Sequence, residues 1–174
     1  MIYPIRAYGD PVLRAKCEEI TSFDADFQKL IDDMYETMDA SDGVGLAAPQ
    51  IGKSLRLFLI DSTVFDKKGE SNGIRTAFVN PVILEEEGEE WTFEEGCLSI
   101  PDVREDVDRK PKLRMKYQTV DGQKHEEVFD GMTARVIQHE YDHIEGILFT
   151  DHISVFKKQL LKSRLNSISK GKVN

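Results

Sequence analysis

The chain has 174 residues, of which 40% are hydrophobic and 32% charged, and its formal net charge is −9. This length suits a chain that buries a sizeable core without disulfides, so we expect residues 1–174 to form a single domain. No apolar run reaches membrane-spanning length, and the first residues lack the apolar core of a signal peptide. Cys17 and Cys97 are too few for a disulfide framework, which favours a reducing cytoplasm. The lack of a long apolar run predicts no membrane contact.

The charge is unevenly distributed along the chain. Residues 155–174 hold six basic side chains and no acidic one, whereas the first 154 residues carry 17 basic and 32 acidic side chains, a net charge of −15. An acidic body of this kind repels phosphates, which argues against a DNA-binding protein. The basic end is either a solvated helix face or a contact for an anionic partner.

The first half of the chain predicts two helical segments and a constrained loop. Residues 9–14 read as a turn that leads into a short helical turn, with Pro11 near its start. Residues 24–40 predict a helix because apolar side chains recur at helical spacing and give one buried face. Residues 43–50 contain two glycines one residue apart, which permit either a tight turn or the close approach of a ligand.

Strands are predicted where apolar and polar residues alternate between turn signals. The predicted strands span residues 55–61, 76–80, 82–87, 89–93, 113–119 and 124–129. Pro81 is expected to end the second of these strands. Gly88 is expected to turn the third strand into the fourth, and Asp121-Gly122 the fifth into the sixth. The acidic run around Gly88 is predicted to be solvated surface.

Two further helices are predicted towards the end of the chain, and the first of them carries a metal-binding pattern. This helix begins near Gly131 and contains His139, Glu140 and His143; the last helix spans residues 154–167. Histidines four apart lie on one face of a helix, where both rings reach one metal ion and the intervening glutamate faces a bound water. The buried neighbours of this helix favour a real site over a chance match, because unpaired buried charge is costly.

A third ligand is needed to complete such a site. One zinc-protease pattern places a third histidine where this chain has Phe149, which weakens that interpretation. Cys97, just past a predicted strand, is the better candidate, and two imidazoles, one thiolate and an open position form a catalytic arrangement. His152 is predicted to be a surface residue and Cys17 a buried apolar one. A zinc peptidase and a non-enzymatic, metal-stabilised binding module remain the alternatives.

Three motifs resemble those of the peptide deformylase family, and they occur in the same order. They are Gly43-Val-Gly-Leu-Ala-Ala-Pro-Gln50, Glu95-Gly-Cys-Leu-Ser99 and Gln138-His-Glu-Tyr-Asp-His143. The likeness extends over nearly the whole chain. It implies an α+β fold in which antiparallel sheets surround a central metal-binding helix, followed by a C-terminal helix. It also implies removal of the formyl group from the N-terminal methionine of new polypeptides.

The resemblance also assigns roles to individual residues. It implies that Cys97, His139 and His143 hold the metal and that Glu140 is the general acid and base. It further implies an oxyanion hole formed by Gln50 and the backbone N–H of Leu98. The implied substrate contacts are backbone groups of Val44 and Gly45, a methionine pocket with Val44, Met132 and Val136, and Arg104 near the peptide beyond it.

The implied reaction agrees with the chemistry of these residue types. A bound divalent cation lowers the pKa of water to ~7, and a glutamate then transfers the proton to the departing amine. One thiolate and two imidazoles suit one divalent ion per chain, Fe²⁺, Zn²⁺, Ni²⁺ or Co²⁺, and the resemblance favours Fe²⁺. The expected partners are N-formylmethionyl nascent peptides, with a ribosome contact through the basic residues 155–174 as a further hypothesis.

Overall fold

A computed structural model describes residues 1–171, so Lys172, one of the six basic residues at the end of the chain, lies outside the described residues. The helices are α1 (Ala25–Ala40), α2 (Gly131–Ile144) and α3 (Val155–Ser169). The strands are β1 (Gly45–Ala47), β2 (Leu57–Asp61), β3 (Arg75–Glu87), β4 (Trp91–Cys97), β5 (Ile100–Arg109), β6 (Lys112–Gln118) and β7 (Lys124–Asp130). Short 3₁₀ helices span Pro11–Arg14, Ala48–Ile51, Thr63–Phe65 and Phe149–Asp151.

The strands form two antiparallel sheets. The larger sheet has the order β1-β2-β3-β6-β7, and the smaller one pairs β4 with β5. Side chains alternate between the two faces of a strand. Phe58 and Ile60 of β2 therefore pack in one core cluster with Ile137 of α2, while Leu57 and Leu59 pack with α1. The continuous apolar run in β2 follows from this burial on both faces.

The smaller sheet is covered by a third core cluster. Ile100, Val103 and Val107 of β5 pack with Leu165 and Ile168 of α3. Helix α2 thus lies among antiparallel strands, and α3 packs beside β5. The α+β prediction with sheets around α2 and a C-terminal helix is confirmed.

Most elements with local end signals lie where the sequence predicts them. The Asp24 side chain accepts from the Phe27 N–H and starts α1. Strands β6 and β7 pair on either side of the Asp121-Gly122 turn. Ser154 caps α3 through the N–H of Lys157, so this helix begins within one residue of the predicted position.

The prediction that Pro81 ends a strand is wrong, because β3 continues through it to Glu87. The pairing register with β6 shifts between Val79 and Val82, which marks a bulge. At the bulge Asn80 adopts φ +49°, and its side chain bonds to the N–H and C=O of Ile20. Proline is tolerated there because a bulge residue need not donate to the ladder.

The predicted hairpin about Gly88 is also wrong. Strand β3 pairs with β6, whereas β4 pairs with β5 in the other sheet, so the chain changes sheet at Gly88. Strand β5 was not predicted. The acidic side chains around Gly88 are exposed, as expected. The β4–β5 pair leads directly to the site, because β4 ends at Cys97.

Candidate metal centre and active site

Helix α2 presents two histidines one turn apart. The His139 and His143 rings lie with their centroids 5.3 Å apart. His143 is buried, and His139 is half-buried at the edge of a cavity. The i, i+4 spacing of the sequence motif therefore produces the shared face that it predicts.

Cys97 comes from the end of β4 and meets these histidines. Its Sγ lies 3.3 Å from His143 Nε2, and the ligand atoms of Cys97, His139 and His143 all lie within 4.8 Å of one another. Among residues 1–171, the structure brings together one group of three or more potential metal ligands, and it consists of these three side chains. Two imidazoles and one thiolate fit a divalent transition metal.

The second nitrogen of His139 is held by a carboxylate. His139 Nδ1 lies 2.8 Å from Glu95 Oε1, which leaves Nε2 free to face Cys97. A metal-binding histidine usually donates its other ring N–H to such an acceptor, which fixes the tautomer and the ring orientation. The site therefore fits a metal in its outer contacts as well as in its donor set.

Glu95 belongs to a buried ionic network that the sequence analysis did not assign. Its carboxylate accepts from Arg109 at 2.7 and 3.0 Å and from Arg135 at 2.8 Å. Arg109 also donates to Asp142, which contacts the exposed His152 at 2.8 Å. Burial opposes ionisation of Glu95, but its bonds with His139 and Arg109 prevail and hold the pKa of Glu95 far below its usual value.

Glu140 lies beside this network in a contrasting environment. It is 2% exposed, its Oε2 has no hydrogen-bond partner, and its Oε1 lies 3.9 Å from His139 Nε2. Burial raises the pKa of Glu140 to about 7. A carboxyl group with a pKa near neutrality suits proton transfer in both directions. Gly45 leaves room for it, since a Cβ there would lie 2.7 Å from Glu140 Cδ.

The pKa values of the two histidines are shifted in opposite directions. Burial lowers the pKa of His143 well below its usual value, and the neighbouring charge of His139 adds to this effect. Burial acts in the same direction on His139, but hydrogen bonds with Cys97 and Glu95 raise the pKa of His139 well above its usual value.

Gln50 contacts Cys97 in space, and Leu98 follows it in the chain. Gln50 is buried in the 3₁₀ turn after β1, where its Oε1 accepts from the Ala47 N–H at 2.9 Å. This bond directs Nε2 towards Ser99 Oγ at 3.1 Å and Cys97 Sγ at 3.5 Å. Leu98 follows Cys97 in the turn between β4 and β5. Both residues line the same cavity as Glu140.

This cavity has a volume of about 580 Å³ and contains the remaining predicted substrate residues. Val44 and Gly45 lie at β1, the edge strand of the larger sheet, and the Val44 carbonyl already accepts from the Asp61 N–H at 2.8 Å. Met132 and Val136 line the cavity from α2. Arg104 lies at its rim, largely exposed, with its Nε 3.1 Å from Glu94 Oε1.

The residues that the sequence analysis missed are the charged groups behind the histidines. Glu95 and Asp142 lie inside two of the quoted motifs, so their position beside ligand residues was an available signal. Arg135 stands among apolar residues on the metal-binding helix, which also indicates a buried partner. Arg109 carries no comparable signal, because charged residues flank it in the sequence.

A structural metal site would need a fourth protein ligand, and the two candidates, His152 and Cys17, lie away from the cluster. His152 bonds to Asp142, and Cys17 is buried with its Sγ 3.9 Å from the Ala15 carbonyl. Within residues 1–171 neither residue belongs to the Cys97 cluster. No helix in that part of the chain is long and apolar enough to cross a bilayer.

A helix with two histidines and an intervening glutamate, beside a cysteine from an adjacent strand, defines a class of mononuclear metal-dependent hydrolases. A family model described as Polypeptide deformylase matches residues 2–159. The chain therefore belongs to the peptide deformylase family.

Individual relatives agree with this assignment over nearly the whole chain. A peptide deformylase of Cytophaga hutchinsonii is 58% identical over 171 residues, covering 98% of this chain and 92% of the relative. The crystal structure of a peptide deformylase from Legionella pneumophila is 40% identical, with a TM-score of 0.86 and 99% and 98% coverage. That of the Plasmodium falciparum enzyme is 33% identical, with a TM-score of 0.87 and 97% and 96% coverage.

The predicted function is confirmed by this membership. The chain is a metal-dependent hydrolase that removes the formyl group from newly made peptides. The Cys97, His139 and His143 cluster is compatible with the metal that this family requires. Neither the zinc peptidase nor the binding module finds support in the fold or in the relatives.

Proposed function

We propose that Cys97, His139 and His143 hold one divalent metal ion and that Glu140 is the general acid and base of deformylation. The observation that supports this proposal is the convergence of three ligand atoms within 4.8 Å beside a buried carboxyl group with an unpartnered oxygen. The bound ion would supply an activated water at neutral pH. Among the candidate metals we propose Fe²⁺ as the native ion, on the family resemblance, since the donor set accepts Zn²⁺, Ni²⁺ and Co²⁺ as well.

Glu140 would act as general base and then as general acid in the reaction. Water attacks the formyl carbon, the C–N bond breaks, and the products are formate and a free peptide amine. Glu140 holds the proton that the attacking water loses and returns it to the amine nitrogen as that bond breaks. The unpartnered Oε2 and the pKa of about 7 support this assignment.

The oxyanion that develops on the formyl oxygen would be stabilised by two donors. These are the Nε2 of Gln50 and the backbone N–H of Leu98. The bond from the Ala47 N–H to Gln50 Oε1 fixes which end of the side-chain amide faces Cys97. A donor that is already oriented needs no reorganisation during the reaction, which is why such groups contribute strongly to rate.

The cavity supports a methionine pocket and a strand-like peptide. The edge position of β1 leaves the backbone of Val44 and Gly45 beside the cavity, where an extended peptide can add to the sheet. Met132 and Val136 provide an apolar wall for a thioether side chain. Arg104 lies at the exposed rim, where it would meet residues after the methionine.

Formate release tests this proposal. The wild type, loaded with Fe²⁺ under anaerobic conditions, is compared with Glu140→Gln and with the control Glu145→Gln, which changes an exposed glutamate next to α2. We expect formate from a formyl-Met peptide with the wild type and the control, and none with Glu140→Gln at equal metal content. Activity in metal-loaded Glu140→Gln would exclude the general-base role.

We also propose that the chain acts as a single catalytic domain in the cytoplasm, where nascent peptides are made. Strands of both sheets and α2 contribute to one site, which supports the single-domain proposal.

A ribosome contact through α3 is a separate proposal. Lys157, Lys158 and Arg164 each pair with an acidic residue of the body, at 3.3, 3.9 and 3.0 Å. Within residues 155–171, the positive charge offered to a partner would therefore come mainly from Lys162 and Lys170, which share a shallow polar groove of α3. Charge reversal at Lys162 and Lys170 should weaken co-sedimentation with ribosomes, and the loop variant Lys68→Glu serves as the control. Unchanged sedimentation would reject the contact.

A further inference from the structure

Arg135 is a buried charge for which the proposed reaction has no direct use. It lies on α2 one turn before His139 and is 2% exposed. Its position also forms part of the cavity wall. A buried guanidinium is costly unless its donors are paired, so its partners indicate what it does.

The partners of Arg135 come from both strands of the smaller sheet. Its Nη1 donates to Glu95 Oε2 and to the Val107 carbonyl, both at 2.8 Å, and its Nη2 donates to the Trp91 carbonyl at 2.6 Å. The guanidinium carbon lies 4.4 Å from the centroid of the Trp91 ring and 5.8 Å from that of Phe93. Arg135 thus ties β4 and β5 to the helix that carries the histidines.

The two oxygens of Glu95 are divided among these donors. Oε1 faces His139 Nδ1 at 2.8 Å and Arg109 Nη2 at 3.0 Å. Oε2 accepts from Arg109 Nε at 2.7 Å and from Arg135 Nη1 at 2.8 Å. Arg109 is shared with Asp142. Arg135 therefore holds the oxygen that His139 does not use and limits rotation of the carboxylate.

We propose that Arg135 is a positioning residue that fixes Glu95 and, through it, the orientation of the metal ligand His139. The proposal rests on the metal site described above and extends it by one more residue. Without Arg135, the Glu95 carboxylate would be held by Arg109 alone on the side away from His139. The His139 ring would then sample orientations that do not bind the metal.

Metal retention without substrate tests this proposal. Wild type, Arg135→Met and Arg135→Lys are loaded with Co²⁺, and the loss of its absorption is followed after addition of a chelator. Substitution of residues that orient metal ligands typically costs about 10–100-fold in metal affinity, so we expect Arg135→Met to lose the ion at least about tenfold faster. Lysine has one compact ammonium in place of a planar fork, so Arg135→Lys should recover only part of the retention.

Two controls distinguish positioning from general stability. Arg114→Met removes an arginine of the same size whose partners, Glu85 and Glu126, are exposed. Val79→Ala weakens the core on the α1 side of the sheet. Both controls should retain Co²⁺ as the wild type does, even where Val79→Ala melts at a lower temperature.

Two results would overturn the proposal. One is wild-type retention in folded Arg135→Met, and the other is equally fast loss in Val79→Ala. If Arg135→Met does not fold, the rate of Co²⁺ loss from Arg135→Lys is compared with the same two controls, and wild-type retention in Arg135→Lys then rejects the role. A failure of the metal site itself appears in the wild type, as absent Co²⁺ binding, and is thereby distinguished from a failure of the Arg135 role.

Discussion

The substitution Gly45→Ala probes how closely β1 approaches the acid/base residue. A Cβ at this position would lie 2.7 Å from both Cγ and Cδ of Glu140 and 3.0 Å from its Oε2. Relaxed contacts between carbon atoms are ~3.5–4.0 Å, so the two groups must separate by roughly 1 Å. The side chain of Glu140 should move, because β1 is held in the sheet by its pairing with β2.

The expected consequence is a catalytic defect with little loss of stability. A displacement of roughly 1 Å at a reacting group costs on the order of 10²-fold in rate. We therefore expect kcat/KM for a formyl-Met peptide to fall by about 10²-fold in Gly45→Ala. The metal content should not change, because the three atoms nearest to the added methyl group all belong to Glu140.

The assay is formate release at saturating metal, with metal analysis and thermal melting on the same samples. Gly69→Ala is the control, since a Cβ there would meet nothing within 4 Å. Alanine is strained at the φ of +88° that Gly69 adopts, so this control should lose stability without altering the site. Activity of Gly45→Ala within about threefold of the wild type would refute the reasoning, because the contact with Glu140 would then be easily relieved.

Three further substitutions test other parts of the structure. Gln50→Leu removes a proposed oxyanion donor and should lower kcat by ~10²–10³ at saturating metal; a smaller effect would argue against that role. Cys97→Ser should reduce metal content or change which metal is retained, as measured by elemental analysis, and unchanged content would exclude Cys97 as a ligand. Asn80→Ala removes three side-chain hydrogen bonds at a residue with φ +49° and should cost roughly 2–3 kcal/mol in urea denaturation. Asn80→Gly lacks the same hydrogen bonds but adopts a positive φ without strain, so it should recover part of this loss.

The sequence predicted the elements whose ends are encoded locally. Asp24 and Ser154 cap α1 and α3 through N–H groups three residues ahead, and such caps are readable from a few neighbouring residues. The turn at Asp121-Gly122 joins β6 and β7 for the same reason. The metal-binding motif on α2 is also local, because one helix face brings its two histidines together.

The errors concern pairing between distant segments. Gly88 has the composition of a hairpin turn, yet β3 finds its partner in β6 and β4 finds its partner in β5. Local turn signals carry no information about such competition between strands. Strand β5 was missed because its buried positions, Ile100, Val103 and Val107, do not follow a strict alternation.

The charged network behind the metal ligands shows a second kind of limit. Arg109 and Arg135 are buried, although arginine is among the residues most often found on the surface. The apolar neighbours of Arg135 indicate that it is buried, but its partner Glu95 lies on a different element, so no single segment reveals the network. Only the assembled fold places one carboxylate between two guanidinium groups and His139.

The same fold separates the roles of its two buried glutamates. Glu95 faces Arg109, Arg135 and His139, and its pKa is held far below the usual value, so it remains an anion that orients a ligand. Glu140 lacks a partner at Oε2, and burial raises its pKa to about 7. Environments that drive the pKa values of neighbouring carboxyl groups apart are how one site keeps one group charged and lets the other exchange protons. The contrast therefore supports Glu140, and not Glu95, as the residue that transfers the proton.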